Sequence, residues 1–152
     1  MQKTCCIIGQ REISEEKIYF IKERLRKEII KAIKNGFTHF ISSFEDVIDL
    51  MFADIVVELM GEYPNISLEA AISHLGKLNI TNICFQKMLD KCKVVGITSE
   101  KYYEGCFLKR NRLMVNFSQL VISVFDGRNI DETLHSINYA KSLGKEVIEI
   151  KI

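Results

Sequence analysis

Four short stretches of this chain carry residue types that can do chemistry together. Gly9-Gln10-Arg11, Ser43-Phe44-Glu45-Asp46 and Asp126-Gly127-Arg128-Asn129 each follow an apolar run, and Lys109-Arg110-Asn111-Arg112 places three cations in one turn. Arginine presents a planar fork of donors that clamps a phosphate or carboxylate through two bonds at once, so Arg11 and Arg110 are candidates for holding an anion. Gln10 offers a donor and an acceptor but cannot titrate. No metal is expected. Cys5, Cys6, Cys84, Cys92 and Cys106 include no Cys-x-x-Cys pair, and His39, His74 and His135 are scattered, whereas zinc sites need closely spaced ligands. An odd number of thiols without a pairing pattern reads as free cysteines in a reducing, cytoplasmic setting.

These stretches need elements to position them. Thr4 to Ile8 is a short buried-type strand ended by Gly9. Ser14 is placed to cap a helix with Glu15 and Glu16 in its first turn, and Ile18, Ile21, Leu25, Ile29 and Ile33 recur at helical spacing up to Asn35-Gly36. Phe37 to Ser42 predicts a second strand and Asp46 to Met60 a second helix. Ile66 to Ser73 predicts a third strand, although Leu68-Glu69-Ala70-Ala71-Ile72 suits a helix as well. A helix over Thr81 to Cys92 and a strand over Val94 to Ile97 follow. Cys106 to Phe117 reads as a helix, Leu120 to Phe125 as a strand buried on both faces, Ile130 to Leu143 as a helix stopped at Gly144, and Glu146 to Ile152 as a last strand. Strands alternating with helices of this length predict βαβ units. The expected fold is α/β: a three-layer, Rossmann-like, doubly wound and mainly parallel sheet with helices on both faces, forming one domain over residues 1–152. In such a sheet ligands bind beyond the carboxyl ends of the strands, where strand order reverses. The three turns and the basic turn should meet there.

The 152 residues carry 21 Lys+Arg against 20 Asp+Glu, with 47% hydrophobic and 27% charged. Near-neutral charge argues against a duplex-DNA partner, which selects basic surfaces. Tyr102-Tyr103 beside Lys101 and Lys109 is the one stretch suited to stacking single-stranded DNA, and such aromatics more often pack. No apolar run approaches the ~18 residues of a membrane span, and no signal peptide is expected after Lys3.

At Cys6-Ile-Ile-Gly-Gln-Arg11, Phe40-Ile-Ser-Ser43 with Asp49-Leu50, Gly105 to Met114, Ser118 to Gly127 and Tyr139-Ala140, the chain resembles the YpsA-like branch of the SLOG superfamily. That Rossmannoid group includes DprA and the LOG phosphoribohydrolases. The resemblance implies a site for nucleotide-derived ligands and, for this branch, no settled reaction. Onto this sequence it carries Gly9, Gln10, Arg11, Ser42, Ser43, Asp49, Arg110, Asn111, Asp126, Gly127 and Thr133 as ligand-binding residues, with no metal and no cofactor. A small-molecule ligand, a second copy of the chain or a protein partner are the expected associates.

The departures from the pattern matter most. Where relatives carry a glycine-rich turn after strand two, this chain has Ser43-Phe44-Glu45-Asp46-Val47; where they carry Gly-Gly-Thr, it has Asp131-Glu132-Thr133. Phosphate loops need glycine for close backbone approach and free N–H groups at a helix start. Four carboxylates in their place oppose an anion, and Gln10 stands where relatives carry an imidazole. Arg11 and Arg110 either clamp an anion or pair with Glu45, Asp46, Asp131 and Glu132, leaving the cleft self-neutralised. The expectation is a non-catalytic or weakly ligand-binding regulatory module with a degenerate phosphate site. The alternative is an N-glycosidic hydrolase or transferase using Asp126 and Glu132, since a carboxylate can stabilise or attack an oxocarbenium-like centre. Against that stands the absence of the LOG Pro-Gly-Gly-x-Gly-Thr signature.

Overall fold

The computed structural model describes residues 2–79 and 82–152. Among the described residues six strands and five α-helices alternate: β1 (Lys3–Gly9), α1 (Ile18–Lys34), β2 (Phe37–Ser42), α2 (Val47–Leu59), β3 (Ser67–His74), α3 (Ile83–Asp90), β4 (Val94–Ser99), α4 (Cys106–Phe117), β5 (Leu120–Phe125), α5 (Thr133–Ser142) and β6 (Glu146–Lys151). Their order in the single sheet is β4-β3-β2-β1-β5-β6, and every pairing is parallel. This is the Rossmann-like α/β architecture expected from the alternation of elements. The apolar runs Cys5–Ile8, Phe40–Ser42 and Val121–Phe125 form the three central strands. Except for the half-buried Phe125, all their residues are buried.

Alternation along the strands divides the core. Ile7, Phe40 and Ile122 face α1, α2 and α3 through residues such as Leu25, Phe52 and Phe85. Cys6, Ile8, Ile41 and Val121 face α4 and α5 through Met114, Val115, Ile137 and Ala140. Helices on both faces bury the parallel ladder, as its apolar composition demands.

Element ends depart from the sequence expectation where local hydrogen bonds compete with the helix. Ser14 does not cap through its side chain; a 3-10 turn over Glu15–Lys17 precedes α1, closed by the Lys17 N–H donating to the Ser14 carbonyl at 3.0 Å. The fifth helix starts at Thr133 rather than Ile130, because the Asp131 carboxylate takes the Thr133 N–H at 2.9 Å and holds the preceding chain in a turn. The third strand runs one residue later than expected, to His74, and the fourth extends to Ser99. The helix expected from Thr81 starts at Ile83, capped by the Asn82 side chain, which accepts the Phe85 N–H at 3.1 Å; Thr81 itself lies outside the described residues.

Candidate functional site

Strand order reverses between β1 and β5, since the chain winds outward from β1 through β4 on one side and returns to β5 on the other. The carboxyl ends of these two strands therefore define the crevice. Gln10 ties them together. Its Oε1 accepts the Asp126 N–H at 2.8 Å, and its Nε2 donates to the Asp126 carboxylate at 3.1 Å and to the Glu12 carbonyl at 2.6 Å. Arg128 adds three contacts to Asp126: the N–H at 2.9 Å, Nε at 2.7 Å and Nη2 at 2.6 Å. The Arg128 guanidinium holds the Asp126 carboxyl well below the usual carboxylate range.

The cleft beside this tie lies between Arg11, the β2–α2 turn, the middle of α4 and the segment before α5. Its approach to β1 depends on Gly9. A Cβ there would sit 2.4 Å from Ile48 Cγ2, so only glycine lets the start of α2 close over the strand. Ser42, fully buried, donates to the Asp49 carbonyl at 2.7 Å and accepts the Phe44 N–H at 3.2 Å. The turn so pinned puts Phe44 at φ +56°, left-handed backbone that a bulky residue adopts only when its surroundings compensate. Here the ring is buried edge-on against Phe85, centroids 5.7 Å apart.

Charge fills the cleft. Arg11 Nη2 lies 2.7 Å from Glu132 Oε2, its Nε lies 3.7 Å from Asp46, and its N–H donates to Asp131 at 3.0 Å. Glu45 receives Lys77 at 2.7 Å and Arg110 at 3.4 Å. Arg110 also donates twice to Asn111 Oδ1, at 3.2 and 3.0 Å, and Asn111 in turn donates to Ser136 Oγ at 3.1 Å. The Phe107 ring sits among the three cations, its centroid 5.5 Å from Arg11, 5.8 Å from Lys77 and 5.4 Å from Arg110. At the start of α2, Asp46 donates its N–H to the Asp49 carboxylate at 3.2 Å. Burial pushes the Asp49 carboxyl up to about 6, and burial with the neighbouring Glu45 raises Asp46. Burial also pushes Asp131 upward, but the Thr133 hydroxyl and the N–H groups of Arg11 and Thr133 outweigh it and leave Asp131 below its usual value.

What remains is a cavity of about 20 Å³, room for roughly one water; pockets for drug-sized ligands measure roughly 300–1,000 Å³. Of the residues expected to bind a ligand, Gly9, Arg11, Ser43, Asp49, Arg110, Asn111 and Thr133 line this cleft, as does Glu132. Gln10, Ser42, Asp126 and Gly127 do not. Gln10 and Asp126 instead border a neighbouring hollow of about 290 Å³ together with Lys17 and Arg128. Asp126 and Glu132 thus line different cavities. Lys77 and Phe107 carry weight in the cleft that their place in the sequence did not indicate. Lys77 lies in the turn after β3, the strand with the most ambiguous pattern, so it was not expected at this edge. Among the described residues no group of three His, Cys, Asp or Glu is placed to hold a metal ion, and no helix is long and apolar enough to cross a membrane.

Comparison with known proteins adds a family and a fold. A family model named YpsA, described as the YspA SLOG family, matches residues 7–149. No curated protein matches the chain. Among solved structures, the X-ray structure of TM1055, a Northeast Structural Genomics Consortium target, is similar with a TM-score of 0.63 and 17% identity, over 96% of this chain and 72% of that one. At that identity the likeness shows the fold alone.

Proposed function

The chain belongs to the YspA SLOG family, and from that premise we propose that it is a non-catalytic binding or regulatory module whose ancestral phosphate site is closed by its own side chains. One observation carries this: Arg11 and Arg110, the two side chains able to clamp a phosphate, are both paired with carboxylates around a cavity of about 20 Å³. An entering anion would have to break those pairs and face Glu45, Asp46, Asp131 and Glu132, and like charges a few ångströms apart cost ~1 kcal/mol in water and several where water is excluded. A nucleotide-derived ligand would therefore be held weakly. The five free thiols, three of them buried, support a reducing, cytoplasmic setting.

The test is calorimetric titration with a nucleoside monophosphate and with ADP-ribose, alongside an assay for release of the free base. The unaltered protein should bind neither in the micromolar range and release no base. The variant carrying Asp46→Asn, Asp131→Asn and Glu132→Gln removes the charges that hold Arg11 across the cleft, so that the arginine side chain can swing out of the small cavity and meet an anion. It should bind both ligands at least tenfold more tightly, and more so at low salt, where screening is least. Micromolar binding by the unaltered chain, or base release abolished by Asp126→Asn, would overturn the proposal.

A further inference from the structure

A second, separate hollow lies on the opposite side of Arg110, under α4 near the β4 edge. Its floor is Ile41 of β2, Glu69 and Ala71 of β3 and Gly96 of β4; Leu113, Met114 and Phe117 of α4 form its roof. Its volume is about 150 Å³, the size of an apolar cavity that accepts a single benzene ring. Its mouth is apolar and open to water: Ile97 is 41% exposed, Leu113 37% and Phe117 67%. In this apolar frame stands one fixed carboxylate. Glu69 Oε1 lies 2.7 Å from His39 Nε2, and His39 Nδ1 lies 2.7 Å from Ser67 Oγ, so the relay locks the glutamate's orientation. No hydrogen bond reaches Glu69 Oε2 among the described residues. The carboxylate's side chain is only 24% exposed, and burial together with the Glu69 charge pushes the Cys92 thiol up to about 12. Arg110 borders the hollow, but its guanidinium is engaged by Asn111 and Glu45. Gly96 contributes no side chain; a Cβ built there would stand 3.8 Å from Glu69 Oε2.

We propose that this hollow binds an alkylammonium group, an apolar stem of about four to six heavy atoms ending in a protonated amine. The stem lies along Ile41, Leu113 and Met114 and the ammonium donates to Glu69 Oε2. Glu69 Oε2 meets water at the open mouth rather than a protein donor, and an ammonium on an apolar stem replaces that water with an opposite charge while covering the apolar walls. Among the described residues no second cation pairs with this carboxylate. A single carboxylate gives a bare metal ion too few oxygen ligands, whereas an organic cation satisfies both the wall and the acid. Long cationic side chains show the same chemistry when they bury their methylenes and present only the head. The group can arrive on a free amine or on a lysine side chain of a bound segment.

The experiment follows backbone and methyl resonances of the full chain by NMR during titration with n-butylammonium, with N-acetyl-lysine methylamide, and with n-butanol as the uncharged control. At least one of the two cations should give saturable shifts at Ile41, Leu113 and Met114, with butanol binding at least tenfold more weakly. Binding of the lysine derivative alone would assign the source to a protein segment, of butylammonium alone to a free amine, and equal binding of both to the ammonium whatever carries it. Glu69→Gln, which still accepts from His39, should reduce binding at least tenfold, and Gly96→Val should block it while Glu69 stays in place. Equal binding of butanol and butylammonium, undiminished binding by Glu69→Gln, or no saturable shift with either cation would overturn the proposal.

Discussion

Asp49 is the residue whose ionisation should most visibly tax the fold. Its carboxyl is buried at the third position of α2 and titrates near 6, against 3.8 for an unburied aspartate. Below pH 4 both states hold the proton. Between pH 4 and 6 the folded state keeps it while the unfolded state loses it, so stability falls as pH rises through this window and the full penalty remains above it. A shift of this size is worth ~3 kcal/mol. Asp49→Asn removes the titrating group while keeping an acceptor for the Asp46 N–H. Urea unfolding of both proteins should therefore show the wild type losing ~3 kcal/mol relative to the variant between pH 4 and 7, and parallel pH profiles would refute this. At this scale the sequence was legible in part. The acids that neutralise Arg11 and Arg110 were visible as residue types in the expected turns. The role of Gln10 was not, because its partner Asp126 is 116 residues away and a glutamine carries no sign of which backbone it will bind. Ser42, similarly, spends its hydroxyl on the β2–α2 turn rather than facing the cleft.

Between elements, the approach of Ile48 to Gly9 sets how α2 sits on β1. A methyl group at Gly9 would meet Ile48 Cγ2 at 2.4 Å and Cβ at 2.7 Å, so α2 must move outward or Ile48 must leave its rotamer. Gly9→Ala should cost ~1–3 kcal/mol, as overpacking does, and Ile48→Ala ~2–5 kcal/mol through the cavity it leaves. The two should not add: Ile48→Ala removes the Cγ2 contact but leaves a Cβ 2.7 Å from the new methyl, so the overlap is relieved in part and a double-mutant cycle should show a coupling of at least ~0.5 kcal/mol. Strict additivity would show that the contact is relieved elsewhere. Most elements were legible from periodicity, because the parallel sheet needs unbroken apolar strands and the helices need one apolar stripe. β3 was the ambiguous one. Leu68 to Ile72 has the composition of a helix, and only pairing with β2 and β4 on either side makes it a strand, which is tertiary context overriding local preference. The turn after β3 has no sequence mark of its own, and it delivers Lys77 to Glu45.

For the molecule as a whole, burial divides five chemically identical thiols into distinct classes. Cys84 is exposed, Cys92 is half-buried, and Cys5, Cys6 and Cys106 are buried. Burial pushes Cys5 well above its usual value, and Cys6 and Cys92 up to about 12. Only the thiolate attacks a disulfide reagent, so reactivity follows pKa and access together. The native protein should release one rapid equivalent of thionitrobenzoate, from Cys84, and five after denaturation, with Cys84→Ser abolishing the rapid phase. Two or more rapid equivalents would mean that one of these faces opens far more readily than its packing implies. The count of thiols was plain in the sequence; their ranking was not, since burial is a property of the assembled layers.

The position of β1 in the middle of the sheet also sets a timetable. One of its edges is satisfied by β2, which is synthesised shortly after it, whereas the other waits for β5, and the Gln10–Asp126 tie spans 116 residues. At ~5–20 residues per second of translation, that delay is on the order of ten seconds. Throughout it the ribosome-bound chain carries an unpaired ladder of apolar strand, the kind of edge to which other chains add. The Arg11 guanidinium meets Glu132 only after that interval. The cleft is thus a late product of synthesis, assembled by the last third of the chain onto a sheet already half built.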